Sequence, residues 1–197
     1  IRQCMTAAAN LAGHNDAHKR MRVIVLPYEQ CTWGNLSYAL SLNNVKLWYH
    51  YSHGRDTIGI IWKKRRLAIE IKDQWLLSYR RKDFLGNPPP DYEDLGRYEN
   101  LPSVRSLGNK STHKLNWVRL DACFSGEPDE PSEPTENEFA KALGFTTDDG
   151  YLTGFGILLG WSGEAFENDG LYNYNVFEVD FWRELMFGGT VHEAFDF

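Results

Sequence analysis

Glu178 and Asp180 stand two residues apart, the spacing in this chain that best suits acid and nucleophile chemistry. On a β-strand, alternation puts both carboxylates on one face, as cleavage of a glycosidic bond by paired carboxylates requires. The competing reading is the solvated face of an alternating strand, and it is the one we adopt. His14 and His18 stand four apart, compatible with one helix face and a metal, but no third ligand is identifiable. His50 and His53 span an expected turn and read as packing or surface histidines. Cys31 and Cys123 are candidate nucleophiles by type, yet neither lies in a motif that lowers a thiol pKa, so structural cysteine is expected. Gly154-x-Gly156 and Gly160-x-x-Gly163 lack the spacing and the following helix of a phosphate loop. Catalytic, cofactor and metal residues are therefore expected to be absent.

Charge is unevenly spread. Lys63, Lys64, Arg65 and Arg66, with Arg80, Arg81 and Lys82, hold seven of the 21 basic residues. They are candidates for phosphate or for contact with an acidic loop of a neighbouring subunit. If 67–79 is one strand, its ends lie about 40 Å apart at 3.3 Å per residue, making two patches. The segment 127–138 carries six acidic residues and three prolines, so the net charge of −6 resides in this one loop.

The elements that must position these residues read mostly at period two. Arg22 to Tyr28, Asn35 to Leu42, Val45 to Tyr51, Thr57 to Trp62, Leu67 to Tyr79, His113 to Cys123, Leu152 to Trp161 and Asn173 to Leu185 read as strands. In the last, Phe177, Val179 and Phe181 share a face. Helix is expected only within 1–21 and over 135–144, where Thr135 and Glu138 form a capping box and Gly144 ends the element. Residues 80–112 and 124–138 are long loops. About eight strands with hardly any helix between them disfavour a parallel βαβ arrangement. The expected fold is all-β: one domain, residues 1–197, forming an eight-stranded antiparallel jelly-roll β-sandwich with one or two short helices.

Composition narrows the classes further. At 197 residues the chain can bury a core without disulfide or metal staples. Acidic balance argues against a nucleic-acid coat read from charge alone. No apolar run reaches the roughly 18 residues of a membrane helix, so no membrane insertion is expected. Three cysteines without a close pair suit a reducing compartment. The chain opens on Ile1 rather than Met, which reads as a processed or trimmed start. Aromatics make up 14%, with seven Trp, an excess that favours strands and subunit contacts. The candidate contact residues are Tyr92 and Tyr98 in the long connection, with Phe187, Phe195 and Phe197 near the end.

Two stretches carry a family resemblance. Tyr151-Leu152-Thr153-Gly154-Phe155-Gly156-Ile157, followed by Phe177-Glu178-Val179-Asp180-Phe181-Trp182-Arg183 and Phe187-Gly188-Gly189, is similar to the final strand pair of single jelly-roll capsid proteins of picorna-like viruses, the comovirus-type secovirids in particular. Trp33-Gly34-Asn35-Leu36-Ser37-Tyr38 resembles the entry to an inner strand of such subunits. Glu178-x-Asp180 also resembles the strand of jelly-roll β-glucanases, but Trp182 and Arg183 stand where that motif needs its acid. The capsid resemblance implies a polyprotein product, a non-enzymatic coat subunit of a small icosahedral RNA virus. It implies other capsid subunits and genomic RNA as partners, no cofactor, and location in the virion or in host cytoplasm during assembly. The alternatives are a carbohydrate-binding or glycan-hydrolysing β-sandwich and a non-enzymatic host-interaction protein.

Overall fold

The computed structural model describes residues 24–42, 44–56, 67–78, 100–107, 115–127, 137–147, 151, 153, 156–163, 174–186 and 190–195. The chain divides into two compact units, Leu26–Ala165 and the pair Ile1–Val25 with Phe166–Phe197.

In the first unit, helix α1 (Trp33–Ser41) begins at Thr32, whose hydroxyl accepts from the Asn35 amide at 3.3 Å. Asn35 Nδ2 donates back to the Gln30 carbonyl at 2.9 Å, so the first turn is held from two directions. Leu36 and Leu40 are buried, while Tyr38 between them is 69% exposed. The strand expected over 35–42 is thereby corrected. Leu36 and Leu40 fit the i, i+4 period as well as period two, and the Thr32 cap decides for helix.

Six strands are seen among the described residues: β1 (Leu47–Tyr51), β2 (Gly54–Asp56), β3 (Leu67–Ile71), β4 (Gln74–Leu77), β5 (Trp117–Asp121) and β6 (Ile157–Gly160). Helix α2 (Glu138–Leu143) lies between the last two. One sheet is parallel in the order β1-β5-β6, and the other is antiparallel in the order β2-β3-β4. The eight-stranded antiparallel jelly roll is contradicted. β5-α2-β6 is a crossover between parallel neighbours, the arrangement the sequence reading disfavoured. The expectation rested on the scarcity of helix, and the pattern within β5 offered no correction. Arg119 and Asp121 alternate with Val118 and Leu120 as a solvated face would, yet all four are buried. Alternation cannot distinguish a wet polar face from a buried polar pair, and parallel sheets need both faces covered.

The expected single strand 67–79 also breaks. A turn at Lys72-Asp73, with Asp73 at φ 61°, folds β3 onto β4, and the Ser78 amide donates to the Leu67 carbonyl at 3.2 Å. The premise of widely separated strand ends is therefore corrected: Leu67 and Ser78 are neighbours. Lys63, Lys64, Arg65, Arg66, Arg80, Arg81 and Lys82 lie outside the described residues. So do the strand expected over 57–62, the helix expected within 1–21, and Tyr92, Tyr98, Phe187 and Phe197.

α2 is capped by Asn137 rather than by the expected Thr135 box, and Gly144 ends it at φ 76° as its sequence suggests. Glu138 instead turns its carboxylate to the hairpin. Its Oε2 accepts from the Leu67 amide at 2.9 Å and from the Ser78 hydroxyl at 2.7 Å, all three groups being buried. Replacing Glu138 by Ala strands both donors, so unfolding free energy is expected to fall by about 2–4 kcal/mol in urea melts. An unchanged midpoint would contradict this anchoring.

The core between the elements includes Ile69, Ile71, Leu76, Val118, Leu120, Phe139 and Leu143. His50 joins it, with Nε2 at 2.9 Å from the Glu70 carbonyl and its ring edge-on to Trp48. A carbonyl only accepts, so Nε2 carries the proton of a neutral imidazole. Burial holds this group below its ordinary pKa, against the weaker upward pull of Glu70. The unfolded chain therefore takes up the proton first, and stability is expected to decrease as pH falls below about 6.5. Urea midpoints at pH 7.5 and 5.5 read the effect, and the drop should shrink in His50→Gln.

The second unit, described by itself, contains helices α3 (Tyr174–Met186) and α4 (Val191–Phe195). The strand expected over 173–185 is corrected to helix. Phe177, Phe181, Trp182 and Leu185 recur at helical spacing, and Phe181 and Trp182 are buried while Val179 is exposed. Thr190 and Glu193 form a reciprocal capping box before α4. Phe195, 47% exposed, meets the Phe181 ring edge-on at 5.1 Å. The stretches 33–38 and 177–183, which carry the capsid resemblance as strands, are thus helical where described.

Candidate active site

β1 and β5 keep one register throughout, from Leu47 beside Trp117 to Tyr51 beside Asp121. Pairing continues one step further, where the Ser52 amide donates to the Asp121 carbonyl at 3.2 Å. His53 and Cys123 come next on the two segments, past the last paired residues. Gly54 confirms the approach. A Cβ there would overlap the Cys123 carbonyl oxygen and stand 2.6 Å from its nitrogen. An imidazole and a thiol thus follow the carboxyl ends of two adjacent parallel strands, on neighbouring chain segments. His53 is exposed, Cys123 is partly exposed, and the Cys123 thiol is not in a disulfide. The His53 carbonyl accepts from the Glu70 amide at 2.8 Å, which fixes this strand end against β3.

The turn that carries Cys123 is tied on several sides. Phe124 is left-handed at φ 62°, a conformation costing a non-glycine residue about 1–2 kcal/mol unless its surroundings enforce it. They do. The Phe124 amide donates to the Gly163 carbonyl at 2.6 Å, and the Gly126 amide to the Trp161 carbonyl at 2.9 Å. Ser125 Oγ donates to the Leu120 carbonyl at 2.6 Å and accepts from the Trp161 amide at 3.2 Å. The segment after β6 thus grips the turn, and it needs glycine on both sides: a Cβ on Gly126 would stand 2.6 Å from the Gly160 carbonyl carbon.

Directly before the turn, Asp121 Oδ1 accepts from Arg119 Nε at 3.2 Å and from the Trp161 indole at 3.1 Å. Both charged side chains are almost wholly buried. Loss of one charge would strand the other, which makes this pair a rigid footing for the strand end.

Other sequence candidates fall elsewhere. Cys31 is half-buried against the core, and desolvation pushes its thiol up, away from nucleophile chemistry. His50 has the packing role just described. Glu178 and Asp180 lie on α3 rather than on a strand, so the strand alternation on which the shared-face premise rested is corrected. Asp180 Oδ1 instead meets Arg183 at 2.6 Å. His14 and His18 are outside the described residues. Among the described residues no His, Cys, Asp and Glu group of metal-site size occurs, and no helix is long and apolar enough to cross a membrane.

Sequence reasoning missed that His53 and Cys123 lie on neighbouring segments. The signal available was weak: each stands just past an alternating run, with a glycine one or three residues beyond. Comparisons with protein-family models, with characterised proteins and with solved structures gave no match.

Proposed function

We propose that this protein is a cysteine-dependent acyl hydrolase, with Cys123 as nucleophile and His53 as general base. The observation that supports the reading is the β1–β5 pairing, whose carboxyl ends lead into His53 and Cys123, with the Gly54 backbone against that of Cys123. Their location supports it, because open sheets with parallel strands take ligands beyond the strand carboxyl ends. A nucleophile and base within reach of one another are the minimum for covalent acyl transfer. In the reaction, the His53 imidazole removes the Cys123 proton as sulfur bonds to a substrate carbonyl carbon. The imidazolium returns that proton to the departing amine or alcohol as the carbonyl–leaving-group bond breaks. Water, deprotonated by the same imidazole, then cleaves the thioester and restores the thiol. The ties on Phe124, Ser125 and Gly126 keep sulfur in place through both steps. This reading takes the place of the non-enzymatic shell subunit expected from the sequence.

The test is iodoacetamide alkylation at neutral pH, resolved cysteine by cysteine by mass spectrometry. Cys123 is expected to react faster than Cys31, and His53→Ala to slow Cys123 alone. Equal rates at both cysteines, or a His53→Ala variant that reacts like wild type, would overturn the proposal. Shell-sized particles on size exclusion would return weight to the subunit reading.

A further inference from the structure

The geometry points to Asn137 as a positioning residue for Cys123, an inference that rests on the Cys123–His53 reading. Asn137 is buried and stands beyond the thiol in sequence, at the start of α2. Its carboxamide is used on both sides. Oδ1 accepts from the Ala140 amide at 3.0 Å, capping α2. Nδ2 donates one proton to the Ser125 carbonyl at 3.1 Å and the other to the Glu127 carbonyl at 2.8 Å. A flipped amide would set its oxygen against two carbonyls and its NH2 against an N–H, so only one orientation is tenable.

The consequence lies two residues upstream of Ser125. The left-handed Phe124 next to Cys123 persists only while its flanks are fixed. The segment after β6 holds one flank, its Gly163 and Trp161 carbonyls accepting from the Phe124 and Gly126 amides and its Trp161 amide donating to Ser125 Oγ. Asn137 holds the other and ties the turn to the start of α2. Without its two donors the turn is free to relax out of the left-handed region, which moves sulfur relative to His53. The cap and the clamp reside on different atoms of one side chain and are therefore separable. Asp or Ser at an N-cap serves the Ala140 amide as well as Asn does. Neither supplies the two donors.

Asn137→Asp and Asn137→Ser keep the cap and remove the clamp, the first adding repulsion between a carboxylate and two carbonyls. In both, iodoacetamide alkylation of Cys123 at neutral pH is expected to slow by about tenfold or more, with the Cys31 rate unchanged. At pH about 10, where thiols ionise without help from a base, the Cys123 rate should return to that of wild type. A loss of the cap alone would not produce this pH-dependent difference. Unchanged Cys123 reactivity in Asn137→Ser, or faster alkylation at both cysteines in that variant, overturns the assignment. Wild-type Cys123 that ignores His53→Ala would instead sink the hydrolase reading itself, so the two failures are distinguishable.

Discussion

Cys123→Ala is expected to remove acyl transfer to an activated ester such as p-nitrophenyl acetate down to the solution background. His53→Ala is expected to lower the rate by about 10²–10⁴-fold, the usual range for a general base. Cys31→Ser should leave turnover unchanged, because Cys31 packs against the core and its thiol is pushed up by burial. The contrast between the two cysteines is what separates a nucleophile from an accessible thiol. Release of p-nitrophenolate over time checks it, provided circular dichroism shows each variant folded. Equal turnover in wild type and Cys123→Ala would remove the sulfur from the reaction.

Among the described glycines of the first unit, Gly54→Ala is expected to be the most damaging. The added carbon collides with the backbone oxygen of Cys123 and lies 2.6 Å from the Cys123 nitrogen. Backbone cannot swing aside as a flexible side chain does, so β1 and β5 must part at their carboxyl ends. A cost of about 3 kcal/mol or more is expected, together with loss of rapid Cys123 alkylation. Gly34→Ala is the internal contrast. It sits on α1 with nothing within 4 Å of the new carbon, and a gain of about 0.5–1 kcal/mol is expected from helix propensity. Thermal or urea melts of the two variants read opposite signs. Destabilisation by Gly54→Ala no larger than a typical surface change would contradict the close packing of the strand ends.

Part of this architecture was legible in the sequence. The alternation of Leu47, Tyr49 and Tyr51 gave β1, the run ending at Cys123 contained β5, and Gly144 marked the end of α2. The misread elements share a cause. Leu36 with Leu40, and Phe177 with Phe181, fit a four-residue period and a two-residue period equally well, and only caps or packing distinguish the two. The Lys72-Asp73 turn carries no glycine, and a left-handed Asp73 leaves little trace in sequence. The antiparallel expectation rested on the scarcity of helix between strands, yet the one short helix α2 between β5 and β6 accompanies a parallel pair.

The site was less legible still. His53 and Cys123 are far apart in sequence, and what brings their segments together is the pairing of two parallel strands joined by a long connection. Local spacing holds no record of that pairing. Asn137 was equally hidden, because an N-cap residue followed by Glu138 reads as helix chemistry until its two donors are found on the Ser125 and Glu127 carbonyls.

The most direct measurement of the Cys123–His53 pair is acid quenching during p-nitrophenyl acetate turnover, followed by intact mass and peptide mapping. One acetyl group is expected, carried as a thioester on Cys123 and not accumulating in His53→Ala. An acetyl group found on other residues only, or formed on Cys123 equally fast in His53→Ala, would contradict it.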